Sequence, residues 1–220
     1  MAEGSPGVIF DIDGTLLDNN YFHTMAWWRA FRSAGIAIPM ASIHRGVGMG
    51  GTEMMAALLG EVRPELSEAH GTEFARFRDE MVAFEAVPEL LRAVRDMGLC
   101  VVLGTSAKPE NLPSMLRAIG ADDAIEEVVS SADVQRAKPH PDIFSAALQT
   151  GRLDPARTMV VGDTRWDVEA ARRAGLACVT LLTGGWSSAE LEAAGAVAVY
   201  DSPADLLHRL DSSPLAALRP

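Results

Sequence analysis

Strand and helix signals alternate along this chain. They predict an α/β fold, a doubly wound parallel sheet whose first strand is separated from the others by an inserted all-helical segment. Three observations carry that reading. Beyond residue 98, short apolar runs at 99–103, 127–129, 158–161, 177–182 and 196–200 alternate with amphipathic stretches, the pattern of parallel strands joined by helical crossovers. Between the first apolar run, Val8-Ile9-Phe10, and that series, residues 20–84 carry helical periodicity and no strand signal. Acids, hydroxyls and glycines gather directly after the apolar runs, at the carboxyl edge where open parallel sheets hold ligands.

Taken in order, residues 1–7 read as a loose tail and 8–10 as a short buried strand. Residues 21–34 place Phe22, Met25, Ala26, Trp28 and Phe31 among their apolar positions at helical spacing, and Gly35 ends the run. Trp27 and Trp28 are adjacent, so a helix sends them in different directions, at least one of them into the core of the helical segment. Residues 45–52 form a glycine-rich loop, and helical patterns resume at 53–59 and 64–84. A helix at 88–97 closes on Gly98, suited to a left-handed C-terminal cap. Further helical patterns lie at 112–119, 141–151, 167–174, 189–194 and 204–210, and residues 212–220 read as a loose end.

A chain of 220 residues suits one α/β domain with an insertion, and a core of that size needs neither disulfide nor structural zinc. Cys100 and Cys178 sit in apolar, strand-like runs and read as buried reduced thiols. No basic stretch precedes an apolar run at the N-terminus, and no apolar stretch is long enough to span a bilayer, so a cytoplasmic protein with no membrane partner is expected. The net charge of −11 argues against nucleic acid as a partner. Six arginines against seven acids leave residues 20–84 at −1, so the rest of the chain carries −10.

Asp11 and Asp13, in Val8-Ile9-Phe10-Asp11-Ile12-Asp13-Gly14-Thr15, are the most informative residues. On a strand, positions i and i+2 share a side, and two acids at a buried strand end repel each other. Such a pair asks for a divalent cation, a developing positive charge or shared proton chemistry; the plain alternative is an Asp-rich turn. A second apolar run ends in Thr105-Ser106, whose hydroxyls and following N–H groups suit phosphate oxygens, or else a helix cap. Lys138 lies in Lys-Pro-x-Pro-Asp and is one of two lysines beside seventeen arginines; lysine is the compact point charge suited to a phosphoryl group. Gly162-Asp163 follows a fourth apolar run, and Asp167 comes four residues later. Asp163 is a hard oxygen donor suited to magnesium, and Asp167 stands where a helix N-cap is also expected.

These four motifs, in this order and at strand ends, resemble those of the haloacid dehalogenase-like (HAD) superfamily, in its phosphatase branch with a C1-type helical cap, similar to phosphoglycolate phosphatases and β-phosphoglucomutases. The resemblance implies a Rossmann-like core over residues 1–19 and 85–220 and a cap over 20–84. It implies a Mg²⁺-dependent phosphatase acting on a small phosphorylated metabolite. Asp11 would be the nucleophile that forms an aspartyl-phosphate, and Asp13 the general acid and base. Mg²⁺ would be held by Asp11, the backbone carbonyl of Asp13, and Asp163. Thr105, Ser106 and Lys138 would bind the phosphoryl group, with Asp167 orienting the metal shell or Lys138.

Several readings compete within that resemblance. Dehalogenases of the superfamily lack the second acid of the first motif and use no magnesium, so Asp13 and Asp163 speak against one. A cap lysine forms the Schiff base of a phosphonatase, and residues 20–84 hold no lysine. A phosphoglucomutase-like phosphotransferase shares the core, and a non-catalytic phosphate-binding module is the alternative outside enzymes. Specificity is expected from the cap. His44, Arg45 and Gly48, in or beside the glycine-rich loop, are candidates to reach substrate, and so is Lys108; the plain alternative for the loop is a helix connector.

Overall fold

The structure is a computed structural model and describes residues 4–220. Six strands, β1 (Ser5–Phe10), β2 (Cys100–Gly104), β3 (Glu127–Val129), β4 (Leu153–Gly162), β5 (Ala177–Leu181) and β6 (Ala198–Tyr200), form one sheet in the order β3-β2-β1-β4-β5-β6. All five pairings are parallel. The chain crosses from one side of β1 to the other between β3 and β4, so β1 marks the place where the winding reverses. Phe10 pairs with Leu103 on one side and with Val161 on the other. That register brings Asp11, Thr105 and Asp163, each just past its strand, to a single edge.

Alternation along the strands splits the core in two. Val8, Phe10, Val101, Leu103, Val161 and Val179 pack one face against α5 (Val87–Asp96), α6 (Leu112–Ile119) and α10 (Pro203–His208). Ile9, Val102, Val160 and Cys178 pack the other against α7 (Asp142–Thr150) and α8 (Arg165–Arg173). Each fully buried Phe, Leu or Val of this kind contributes about 1.5–3 kcal/mol through removal from water. Between β1 and α5 lie α1 (Asn20–Ser33), α2 (Met40–Gly46), α3 (Gly51–Leu59) and α4 (Pro64–Phe74). They enclose a separate cluster of Trp27, Phe31, Ile43, Met54, Met55 and Leu66. Trp27 is buried in it, and Trp28 stays half-exposed under the Arg32 guanidinium.

The expected helix at 64–84 ends early. After Phe74 one 3₁₀ turn follows (Ala75–Phe77), and the chain then runs back beside the outgoing connection. Asp18 N–H donates to Val82 O at 3.0 Å and Phe84 N–H to Leu16 O at 3.0 Å. The two connections to the sheet satisfy each other's backbone groups, which a continued helix would have left elsewhere. Helix α2 had no separate signal, since only Ile43 and Gly46 of its seven residues are buried. Residues 5–7 belong to β1 rather than to a tail, and residues 1–3 lie outside those described. The C-terminus is not loose: Leu215 and Leu218 close the first face of the sheet, because apolar side chains there cover strands that would otherwise meet water. No described helix is long and apolar enough to cross a membrane. A ninth helix, α9 (Ser188–Ala194), lies between β5 and β6.

Candidate active site

The sheet edge carries a closed network of charge. Asp11 N–H still donates to Val161 O at 2.9 Å, so the residue is held by β4 just beyond the end of β1. Lys138, reached through the loop before α7, donates from Nζ to Asp11 Oδ1 at 2.7 Å and to Asp167 Oδ1 at 2.8 Å. All three side chains are buried. Asp167 Oδ2 accepts from Thr164 N at 3.0 Å and Thr164 Oγ1 at 2.6 Å. Thr164 is the N-cap of α8 and Asp167 the reciprocal residue of its capping box, so the helix start itself fixes the carboxylate. Asp163 is gripped on both oxygens, by Thr15 Oγ1 at 2.8 Å and Asn20 Nδ2 at 2.9 Å.

Burial makes these charges strongly interdependent. Desolvation pushes the Asp11 carboxyl well above its ordinary value; Lys138 pulls it back, and Asp167, Asp163 and Asp13 push it further up. Asp163 is raised to about 7, first by burial and then by Asp167, with the Asn20 and Thr15 hydrogen bonds and Lys138 opposing. Burial alone would lower the Lys138 ammonium, but Asp11 and Asp167 outweigh it and hold the group well above the usual lysine range.

The residues fit a hard divalent cation. Carboxylate oxygens of Asp11, Asp163 and Asp167 lie within 4.8 Å of one another, an all-oxygen donor set that suits magnesium. Asn20 Oδ1 is a buried acceptor with no partner among the described residues, beside Asp163. A methyl group on Gly14 or Gly184 would overlap Asp163 Oδ2, so the space around that oxygen exists only because both residues are glycines. Gly14 also turns the chain at φ 77°, in the left-handed region open to glycine.

Asp13 stands apart from that cluster. Its Oδ1 accepts from Asn19 Nδ2 at 2.5 Å and lies 3.3 Å from His23 Nε2, and its Oδ2 accepts from Thr105 Oγ1 at 3.2 Å. Burial pushes this carboxyl up, but the charge and hydrogen bond of His23 and the Asn19 amide win and hold it below its ordinary value. Thr105 is fully buried and engaged, since its Oγ1 also accepts from Ala107 N at 3.0 Å. Ser106 Oγ is buried without a partner, and Ser106 lines the cavity beside Asp11.

That cavity, about 150 Å³, lies between the sheet edge and the helical segment. Asp11, Asp13, Ser106, Lys108 and Lys138 line it from the sheet side, and His23, Trp27, the 46–51 backbone, His70, Phe74 and Arg78 from the other. Gly48 and Lys108 line it. His44 and Arg45 do not: α2 turns them onto the loops beyond β4 and β5. Arg45 pairs with Glu190, lies 3.3 Å from the Trp186 ring centroid, and its carbonyl accepts from Trp166 Nε1 at 3.1 Å. His44 stacks on Tyr21 at 5.1 Å and abuts Gly185. The reason is steric: the glycines after α2 let the backbone itself approach the site, which carries the preceding side chains away from it. Asn19, Asn20, His23 and His70 were not singled out from sequence. The available signal was the polar run Asn19-Asn20 with His23 and Thr24, at the start of an otherwise apolar helix.

Comparison with known proteins agrees with this geometry. The family model for haloacid dehalogenase-like hydrolases matches residues 6–175. The crystal structure of a hydrolase from Pseudomonas syringae superposes with a TM-score of 0.88 at 36% identity, covering 94% of this chain and 98% of that one. Validoxylamine A 7'-phosphate phosphatase of Streptomyces hygroscopicus subsp. limoneus is 29% identical over 80% of this chain and 84% of its own. Phosphoglycolate phosphatase of Vibrio vulnificus is 26% identical over 91% of this chain and 93% of its own.

Proposed function

The chain belongs to the haloacid dehalogenase-like hydrolases and is a phosphomonoester hydrolase, and from that premise we propose that it cleaves a small phosphorylated metabolite through an aspartyl-phosphate on Asp11, with Mg²⁺ as cofactor. Phosphatases among its relatives support the reaction class. The observation that carries the residue roles is the anchoring of Asp11 by one oxygen only. Lys138 holds Oδ1, and among the described residues Oδ2 has no donor while Asp11 lines the cavity.

In this reading Asp11 Oδ2 attacks phosphorus in line with the departing ester oxygen. Lys138 keeps the carboxylate oriented and offsets charge on the phosphoryl oxygens, and Ser106 Oγ and nearby backbone N–H groups donate to them. Asp13 lines the cavity and handles the proton: protonated once the substrate is bound, it gives that proton to the leaving oxygen and later takes one from the water that opens the acyl-phosphate. His23 and Asn19 orient its carboxyl. Asp167 acts through Lys138 and through the start of α8. Asp11, Asp163 and the carbonyl of Asp13 would hold Mg²⁺, which when bound would neutralise the phosphate dianion among four acids. Residues 20–84 serve as the cap over the core formed by 1–19 and 85–220, excluding water from the cavity.

The test is hydrolysis of p-nitrophenyl phosphate and a panel of phosphorylated metabolites with Mg²⁺, with EDTA, and with Asp11→Asn. Turnover is expected only with the metal, and Asp11→Asn is expected to lose roughly 10⁴- to 10⁶-fold in kcat while keeping the wild-type fold, since an amide oxygen can still accept from Lys138. Metal-independent turnover, or an active Asp11→Asn protein, overturns the proposal. A mutase reading predicts isomerised hexose phosphate instead of inorganic phosphate from hexose 1-phosphates.

A further inference from the structure

A chain of hydrogen bonds runs from Asp13 through His23 to His70, all three of which line the cavity. His23 Nε2 lies 3.3 Å from Asp13 Oδ1, and His23 Nδ1 lies 3.3 Å from His70 Nε2. The two rings are clamped by aromatic neighbours: His23 stacks on Phe74 at 4.0 Å and His70 on Trp27 at 4.3 Å. His70 is half-buried; desolvation, then His23 and Lys108, hold it well below the ordinary histidine range against the opposing pull of Asp13.

The chemistry of the chain fixes what His70 can offer. An ionised carboxylate only accepts, so His23 Nε2 carries a hydrogen. If His23 is neutral, its Nδ1 accepts, His70 Nε2 donates, and the remaining nitrogen of His70, Nδ1, is a bare lone pair. If His23 is charged, its Nδ1 donates, His70 Nε2 accepts, and His70 Nδ1 carries the hydrogen. In either arrangement one polar edge of His70 is left over. No described residue hydrogen-bonds Nδ1, this atom is not sealed among the buried unpartnered ones, and the ring lines the cavity. The leftover edge is therefore accessible, on a residue that lines the cavity.

We propose that His70 is a specificity-determining residue that recognises a hydroxyl on the leaving group of the phosphate ester. This rests on the phosphatase reading above. A hydroxyl both donates and accepts, so it satisfies Nδ1 in both states of the pair. A carboxylate satisfies only the protonated state and an ammonium only the bare one. A desolvated nitrogen facing a purely apolar group stays unpaired, which is the condition under which sites discriminate hardest against a missing hydroxyl. The substrate class is thus an alcohol phosphate with at least one further hydroxyl, of sugar or cyclitol type, in preference to a short phosphorylated acid.

The experiment compares two esters of primary alcohols on the Mg²⁺-loaded full chain: a panel of hexose 6-phosphates, whose rings bear hydroxyls, and cyclohexylmethyl phosphate, whose ring bears none. Wild-type kcat/KM is expected to favour the best hexose ester by about ten-fold or more. His70→Phe preserves an aromatic ring against Trp27 and Phe74, and is expected to remove most of that preference while changing cyclohexylmethyl phosphate turnover by less than about three-fold. An equal fall on both esters would show that the substitution acts through His23 and Asp13, and overturns the proposal. So does an unchanged preference in His70→Phe, or a wild-type enzyme that does not discriminate. Loss of all turnover in the wild type, p-nitrophenyl phosphate included, is a different result and defeats the phosphatase reading itself.

Discussion

At the sheet end of the cavity, Asp11 and Asp167 share the Lys138 ammonium and Asp163 lies beside them, held by Thr15 and Asn20. At the helical end, His23, Trp27, His70 and Phe74 form a stack of rings on α1 and α4 with no charge cluster among them. The first end is desolvated, and its carboxylates raise one another's affinity for protons. The second is apolar and hydrogen-bonded by single contacts. In the proposed reaction the difference separates two tasks: the sheet end would supply chemistry common to many esters, and the helical end the choice among them.

Breaking the sheet end has the largest expected effect. Lys138→Met removes the ammonium between Asp11 and Asp167 while keeping much of the volume. Truncating one partner of a buried charge network leaves the others uncompensated, at a cost of about 3–5 kcal/mol. Urea denaturation of the metal-free protein is expected to show that loss, and kcat is expected to fall by about 10²–10³-fold. A stability change below about 1 kcal/mol would mean that the two carboxylates are accommodated without Lys138, and the contrast between the two ends would lose its basis.

A smaller effect sharpens the same contrast through pH. The Asp163 carboxyl is raised to about 7 by burial and Asp167, against about 3.9 in an unfolded chain. Between these values the native state holds a proton that the unfolded state has released, so stability falls as pH rises from about 4 to about 7. The change is on the order of 3 kcal/mol for this one group. Thermal melts of metal-free protein are expected to show that decline, and Mg²⁺ is expected to reverse it above pH 7. Asp163→Asn should flatten the metal-free profile and abolish the Mg²⁺ response; a steep profile surviving in this variant would move the strain to Asp11. Substitutions at His70 should leave both profiles as they are.

The sheet end was legible in sequence because its residues follow apolar runs. Asp11, Thr105 and Asp163 each trail a strand, and a parallel sheet must bring such positions to one edge. Even there, Thr105 turned out to serve Asp13 and the backbone of Ala107, which motif spacing does not encode. The helical end was much less legible. His23 and His70 meet only because α1 and α4 pack side by side, a relation set by tertiary contact, and neither residue stands in a recognisable motif. The 64–84 helix was over-extended for a similar reason, since the pairing of Leu17 with Ala83 that ends it depends on residues far apart in sequence.

The smallest expected effect lies on the outer side of the helical segment, where Arg45 joins α2 to α9 and Trp186. Arg45 and Glu190 are both well exposed, so their ion pair contributes only about 0–1 kcal/mol. The guanidinium over Trp186 adds about 0.5–1 kcal/mol. Arg45→Ala should therefore leave the melting temperature within a few degrees of wild type. Because this contact spans the two sides of the cavity, its loss should weaken closure more than chemistry: KM rises a few-fold and kcat changes little. Glu190→Ala is expected to lose the α9 capping box as well, so Arg45 is the cleaner substitution. If Arg45→Ala instead lowers kcat by ten-fold or more with KM unchanged, the residue acts on the transition state. In that event α2 would belong with the sheet end of the site rather than with the helical segment that chooses the substrate.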